Sequence, residues 1–171
     1  MPPRSKWTLS PISPSATVSA RFASAMSRIW RCRTSPSAIF RRCGARSIPV
    51  AEEISRRFKD LDLARNLGRL HINISGCINA CGHHHIGHIG ILGVEKNGEE
   101  YYQVTIGGRA DENAELGKIL GPAVPYGEIA DVVEDVAAAY LELRARPDEL
   151  FIDTVARVGV DPFKERVYAA H

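Results

Sequence analysis

Cys77 and Cys81 have the clearest chemical potential in this sequence, because two thiols four positions apart can bind one metal centre. They stand in a short segment, residues 75–82, that follows an alternating apolar pattern and has glycine on both sides. On a tight helical turn, positions i and i+4 face the same way, so both thiolates can reach the same ion or cluster. Glycine lets the backbone approach such a centre closely. We therefore expect this segment to bind a metal centre.

The nature of that centre stays open on spacing alone. A [4Fe–4S] cluster takes four thiolates, so a second pair would have to come from elsewhere. Zinc could instead bind the two cysteines together with His85 and His88, although four ligands within twelve residues are closer than zinc fingers usually allow. The two cysteines could also be small buried residues that pack a turn.

Periodic patterns around the cysteine segment predict the elements that position it. Apolar residues at helical spacing predict a helix over residues 51–67, which Gly68 ends. Strict alternation predicts a half-buried strand over residues 70–75, directly before the cysteines. Residues 88–96 predict a second strand, in which Gly90 and Gly93 mark places where a flat ligand or another backbone lies close.

The rest of the chain predicts one more strand and several helices. Asn97-Gly98 is a strong hairpin signal, and the strand beyond it ends at residues 107–108. Helices are predicted over residues 111–120, 129–143 and 149–158, and a last one opens at Asp161-Pro162 with an N-cap and N1 pair. We therefore expect an α+β fold, a small mainly antiparallel sheet covered by helices.

Charge is distributed unevenly along the 171 residues. Residues 1–50 hold nine of the 22 basic residues and none of the 20 acidic ones, together with ten Ser and six Pro. Three interpretations of this basic segment remain open: a basic arm that binds nucleic acid, an organelle transit peptide, or an out-of-frame segment joined to a real domain. We divide the chain into residues 1–44, a disordered or non-native leader, and residues 45–171, a folded domain.

Four cysteines and no long apolar run suggest a reducing compartment. Cys32, Cys43, Cys77 and Cys81 come without other signs of secretion, so metal binding is favoured over disulfides. No stretch approaches the ~18 apolar residues that a membrane span needs. We expect a cytoplasmic protein without a membrane segment and, given few aromatic residues in the leader, without a nucleic-acid partner. The alternative function is a non-catalytic zinc- or nucleic-acid-binding module with a basic N-terminal arm.

Residues 45–171 resemble the C-terminal part of the siroheme hemoprotein of assimilatory sulfite and nitrite reductases. The likeness rests on two features together: the glycine-rich strand over residues 88–96 and, before it, the turn Gly76-Cys77-Ile78-Asn79-Ala80-Cys81-Gly82. The further matching segments are residues 45–51, 89–93, 107–108, 151–154 and 158–164.

The resemblance implies two cofactors, a [4Fe–4S] cluster and siroheme. Cys77 and Cys81 would be two of the four cluster ligands, and Cys81 would also bridge the cluster to the siroheme iron as its axial ligand. Asn79 is a further candidate, either as a hydrogen-bond donor to cluster sulfur or as a residue that orients the loop. Cys81 would then be the shortest electron path between the two centres.

The resemblance also implies a reaction and its partners. Such enzymes reduce sulfite to sulfide or nitrite to ammonia in a multi-electron reaction, with electrons from ferredoxin or an NADPH flavoprotein. Members of the family carry a Cys-x5-Cys pair shortly before the text that matches Ser47-Ile48-Pro49, whereas here ten residues separate Cys32 from Cys43. We therefore expect a fragment of a larger oxidoreductase, inactive as this chain alone.

Overall fold

The computed structural model describes residues 38–58 and 66–169, which belong to one compact unit, Cys32–His171. Predictions that fall on Cys32, on residues 1–37 or on residues 59–65 lie outside the described residues. Cys43 lies within the first helix, but its side chain is likewise not described.

A five-stranded mixed sheet forms the centre of the described unit. Its strands are β1 (Ile72–Ser75), β2 (Ile89–Lys96), β3 (Glu99–Ile106), β4 (Lys118–Ile119) and β5 (Val124–Pro125). β1 pairs with β2 in parallel, whereas β2 pairs with β3, and β3 with β4 and β5, in the antiparallel sense. The parallel pair brings the end of β1 beside the middle of β2, so the cysteine segment has to cross between them.

The hairpin between β2 and β3 confirms the strongest turn signal of the sequence. Asn97 and Gly98 have φ values of 56° and 83°, which suits the left-handed backbone of a two-residue hairpin turn. Register then follows from the turn, with Lys96 opposite Glu99 and Ile91 opposite Val104. Tyr102, Val104 and Ile106 all lie buried on one face, as the alternation predicts.

Helices cover the sheet, which confirms the α+β prediction. They are α1 (Ala38–Arg57), α2 (Ile129–Leu143), α3 (Phe151–Val158) and α4 (Asp161–Tyr168). α2 follows the predicted amphipathic pattern, and Val132, Val133 and Val136 on its inner face are fully buried. Gly159 ends α3 with a φ of 80°. Within the described ranges, no helix has the length and apolarity to cross a membrane.

The predicted helix over residues 111–120 is wrong. Asp111 begins a turn in which its carboxylate accepts the Asn113 N–H at 2.9 Å, and Arg109 pairs with Glu115 as a β-bridge. Asp and Asn side chains compete for backbone N–H groups and so favour turns over helix starts. The chain then enters β4 instead of a helix.

The first helix begins earlier than predicted. The sequence places its start at residue 51, after Pro49, whereas α1 starts at Ala38 and contains Pro49 in its interior. Proline has no N–H and usually stands in the first turn, which is why its position suggested a boundary. Val50 and Ile54 of this helix are buried in the common core.

Candidate metal centre

The cysteine segment forms two consecutive turns between β1 and a short 3₁₀ helix, His84–Ile86. The N–H of Ala80 donates to the carbonyl of Cys77 at 3.0 Å, and the N–H of His83 donates to the carbonyl of Ala80 at 2.8 Å. Ala80 and His83 have positive φ values of 54° and 49°. The expected helical turn is therefore wrong in detail, because a left-handed residue at position 80 interrupts any helix between the two cysteines.

The outer part of this loop faces outward. Cys77 is half-buried and Cys81 is exposed, while Ile78 has 84% of its surface accessible. Asn79 is also exposed, and its carbonyl oxygen lies 3.9 Å from Sγ of Cys81. Ile78 is apolar, lies between the two cysteines and is almost fully exposed. A group outside the described part of the chain can therefore approach this side of the loop.

The inner part of the loop is held by side chains of β1. The Gly82 N–H donates to Oγ of Ser75 at 3.2 Å, and the same oxygen lies 3.1 Å from Nδ1 of His84. Nδ2 of Asn73 donates to the carbonyl of His83 at 3.0 Å. Ser75 and His84 are almost fully buried, with 2% and 3% of their surfaces accessible. Two hydrogen bonds thus fix the backbone directly after Cys81, and the third holds the His84 side chain.

Glycines on both sides of the loop allow close packing of backbone on backbone. A Cβ at Gly82 would overlap the carbonyl oxygen of Ile74, and one at Gly90 would overlap that of His84. A Cβ at Gly93 would lie 2.5 Å from the carbonyl oxygen of Gly76. Of the two alternatives for Gly90 and Gly93, a flat ligand or another backbone, the structure shows the second.

The histidines after the cysteines have separate roles in packing. His85 is exposed, and its ring lies tilted against that of His84 at 3.8 Å between centroids. His88 stacks on His71 at 4.7 Å and lies beside Phe151, while its Nδ1 accepts the backbone N–H of His71 at 3.3 Å. Burial, helped by the nearby charge of His71, lowers the pKa of His88 to about 4.

Burial also keeps the His84 imidazole neutral near pH 7. It is the main cause that lowers the pKa of His84, and the charge of His85 adds to it. Nδ1 of a neutral imidazole can accept a hydrogen bond from the Ser75 hydroxyl, whose oxygen in turn accepts one from the Gly82 N–H. The buried pair is therefore satisfied on both sides.

The zinc arrangement proposed from spacing does not form. In the described ranges, no three His, Cys, Asp or Glu side chains are grouped so that they could hold a metal ion. The His85 ring contacts that of His84, whereas His88 stacks on His71 and also accepts a backbone N–H. Two thiols on an outward loop fit half of the donor set of an iron–sulfur cluster, the other half of which would have to come from outside the described side chains.

Sequence patterns alone missed the residues that anchor the loop. His71, Asn73 and Ser75 alternate with apolar residues and therefore suggested the solvent face of a half-buried strand. In the structure, Asn73 and Ser75 face the returning loop instead of solvent. An alternating pattern could not predict that Ser75 is buried, since polar residues are normally exposed.

The fold and the loop define an α+β domain that carries paired cysteines on a turn after a strand. Residues 47–171 match the family model described as the nitrite and sulphite reductase 4Fe-4S domain. The chain belongs to this family.

Two known proteins illustrate the relationship. The chain is 31% identical over 97 residues to the chloroplastic ferredoxin–nitrite reductase of Spinacia oleracea, a match that covers 54% of this chain and 15% of that protein. The solved structure of the Mycobacterium tuberculosis NirA protein superposes with a TM-score of 0.56 at 26% identity. That match covers 70% of this chain and 22% of NirA, so the chain spans less than a quarter of either relative.

Proposed function

We propose that this chain supplies the cluster-binding loop of a siroheme-dependent sulfite or nitrite reductase. The observation that carries the proposal is the outward Cys77–Cys81 loop within a domain of the 4Fe-4S family. Cys77 and Cys81 would each give one thiolate to a [4Fe–4S] cluster. Such a cluster stores and transfers single electrons, which a multi-electron reduction of a small anion requires.

The different exposure of the two cysteines supports different roles for them. Cys81 is exposed, whereas Cys77 is half-buried, so Cys81 has more room for a second bond to a flat macrocycle on the outer side. In the proposed arrangement Cys77 and Cys81 would both hold the cluster, and Cys81 would also hold the siroheme iron, so that electrons could pass between the two centres. Asn79, exposed on the same turn, would approach a cluster sulfur.

The names of the relatives suggest the class of substrate and electron donor. The Spinacia oleracea protein is a ferredoxin–nitrite reductase. We propose nitrite or sulfite as the substrate of the complete enzyme and a ferredoxin or NADPH flavoprotein as its electron donor. The division of the chain into a leader, residues 1–44, and a domain, residues 45–171, stays a prediction.

Cluster binding can be tested by anaerobic reconstitution of the 171-residue chain with iron and sulfide. We expect Cys77→Ser and Cys81→Ser each to lower bound iron several-fold and to remove the EPR signal of the reduced cluster, because serine is a poor ligand for this centre. Ile78→Ser is the matched control, since it changes an exposed side chain of the same loop without removing a donor. Equal iron contents in both cysteine variants and the wild type would contradict the proposal.

A further inference from the structure

The segment directly after Cys81 is fixed to β1 by two side chains of one strand face. Asn73 and Ser75 are two positions apart, so their side chains leave the strand on the same side. Ser75 accepts the N–H of Gly82 at 3.2 Å, and Asn73 donates to the carbonyl of His83 at 3.0 Å. The first residue after Cys81 and the one following it are thus both bound to β1.

The buried imidazole of His84 completes this attachment. Its Nδ1 lies 3.1 Å from Oγ of Ser75, and a Cβ at Gly90 would overlap its carbonyl oxygen. His84 is therefore held by its side chain on β1 and by its backbone on β2. Removal of the Ser75 hydroxyl would leave both the Gly82 N–H and the His84 nitrogen without this partner in a nearly dry site.

We propose that Ser75, with Asn73 and His84, is a positioning residue that fixes Cys81 before the metal centre binds; this inference deepens the proposed function and rests on it. Cys81 lies on the outer side of a loop whose own two turns include two residues with positive φ. Such a loop would sample several conformations if it were attached only at its ends. A ligand held in its bound geometry loses less entropy on metal binding, so the attachment raises affinity.

This role differs from general stabilisation, because the hydrogen bonds of Ser75 and Asn73 reach the backbone directly after Cys81. Cys77 follows Gly76, whose backbone packs against Gly93 of β2. Loss of the Ser75 hydroxyl should therefore disturb the backbone directly after Cys81.

The test uses Cd²⁺, which reports paired thiolates by charge-transfer absorption and needs no other cofactor. We expect Ser75→Ala to weaken Cd²⁺ binding at the Cys77–Cys81 pair about ten-fold and to speed hydrogen exchange of the Gly82 amide by a similar factor. Ser75→Thr keeps the hydroxyl and should restore both. Asn73→Ala, which removes a half-buried side chain, should weaken binding in the same direction.

Thr154→Val is the matched control for a lost buried hydroxyl. Thr154 is fully buried, and its Oγ1 donates to the carbonyl of Leu150 at 3.2 Å in another element. This variant should lose stability but keep wild-type Cd²⁺ affinity and Gly82 exchange. If Ser75→Ala and Thr154→Val behave alike in both measurements, the positioning role is overturned.

The outcomes also separate this inference from the proposed function. Cd²⁺ binding that is lost in Cys77→Ser and Cys81→Ser but unchanged in Ser75→Ala would overturn the positioning role alone. Binding that is unaffected by Cys77→Ser and Cys81→Ser would overturn the cysteine-pair site, and with it both proposals.

Discussion

At the scale of single residues, His88 links the end of the cysteine loop to the helical core. Its ring lies between His71 and Phe151, with centroid distances of 4.7 and 6.3 Å. A half-buried ring in this position favours the neutral state, since a positive charge would lose part of its water and would face the charges of His71, Arg109 and Arg69. The packing is therefore sensitive to pH.

We expect the free energy of unfolding to fall by about 1–2 kcal/mol between pH 7 and pH 5 through His88. Its pKa is about 4 in the folded chain, against an ordinary value of 6.5. Between these values the unfolded chain binds the additional proton, so the stability is fully present above about pH 6.5 and is lost as the pH falls toward 4. Urea unfolding at several pH values measures this.

The variant His88→Asn should reduce that pH dependence, because the amide oxygen can accept the His71 N–H without titrating. His83→Asn is the control, since His83 is exposed and asparagine tolerates its left-handed backbone. A slope with pH that is the same in His88→Asn and His83→Asn would contradict the assignment to His88.

At the scale of elements, α1 carries the least expected feature, a proline inside a 20-residue helix. Pro49 cannot donate to the carbonyl four residues earlier, which costs a helix interior about 3 kcal/mol. The same residue at a helix start would cost nothing, because the first N–H groups have no partner in any helix. A helix that starts at Ala38 therefore predicts that removal of Pro49 stabilises the chain, whereas a helix that starts at residue 51 predicts no such gain.

We expect Pro49→Ala to raise the free energy of unfolding by about 1–3 kcal/mol, because α1 starts at Ala38 and continues through this position. Urea unfolding followed by far-ultraviolet circular dichroism measures it. Glu52→Ala, at an exposed position of the same helix, controls for the general gain in helix propensity. No gain beyond that control would favour a helix start after Pro49, at the residue 51 that the sequence predicts.

The elements also show what a sequence can predict in this chain. The hairpin turn at Asn97-Gly98 and the inner face of α2 follow from local rules, because turn geometry and helical periodicity depend on neighbouring residues. The supposed helix over 111–120 failed for a local reason too, since the Asp111 carboxylate binds a backbone N–H that a helix would have used.

The candidate site could be predicted only in part. The cysteine pair could be identified from residue type and flanking glycines, and the family resemblance is confirmed by the match over residues 47–171, whereas the exposure of Cys81 was not predicted. The partners of the loop could not be predicted, because Ser75 and Gly82 meet through a fold of the backbone that periodicity does not describe. Polar residues on one face of a strand give the same sequence pattern whether water or another segment of the chain covers that face.

At the scale of the whole molecule, Phe151 joins the cysteine side of the unit to its helices. It is fully buried and contacts three rings, His88, Tyr140 and Phe163, at centroid distances of 5.5–6.3 Å. Two of these contacts are edge-on, an arrangement that stabilises aromatic pairs beyond the area they bury. The loop and the C-terminal helices therefore share one packing centre.

We expect Phe151→Ala to lower the free energy of unfolding by about 3–5 kcal/mol, because it leaves a cavity among aromatic rings that cannot close it. Thermal or urea unfolding measures the loss. The neighbouring Leu150→Ala removes a side chain that is 38% exposed and should cost less than ~1 kcal/mol. Similar costs for the two variants would contradict a central role of Phe151.

The parallel pairing of β1 with β2 has a consequence for protein engineering. Ile72 stands opposite Ile89, so the intervening crossover has a fixed length, and backbone contacts at Gly82 and Gly90 leave no slack in it. One inserted residue that slips β2 by one position against β1 would turn the side chains of β2 to the opposite sheet face. A graft that transfers the thiol pair to a different scaffold must therefore carry both strands and the crossover as one uninterrupted cassette.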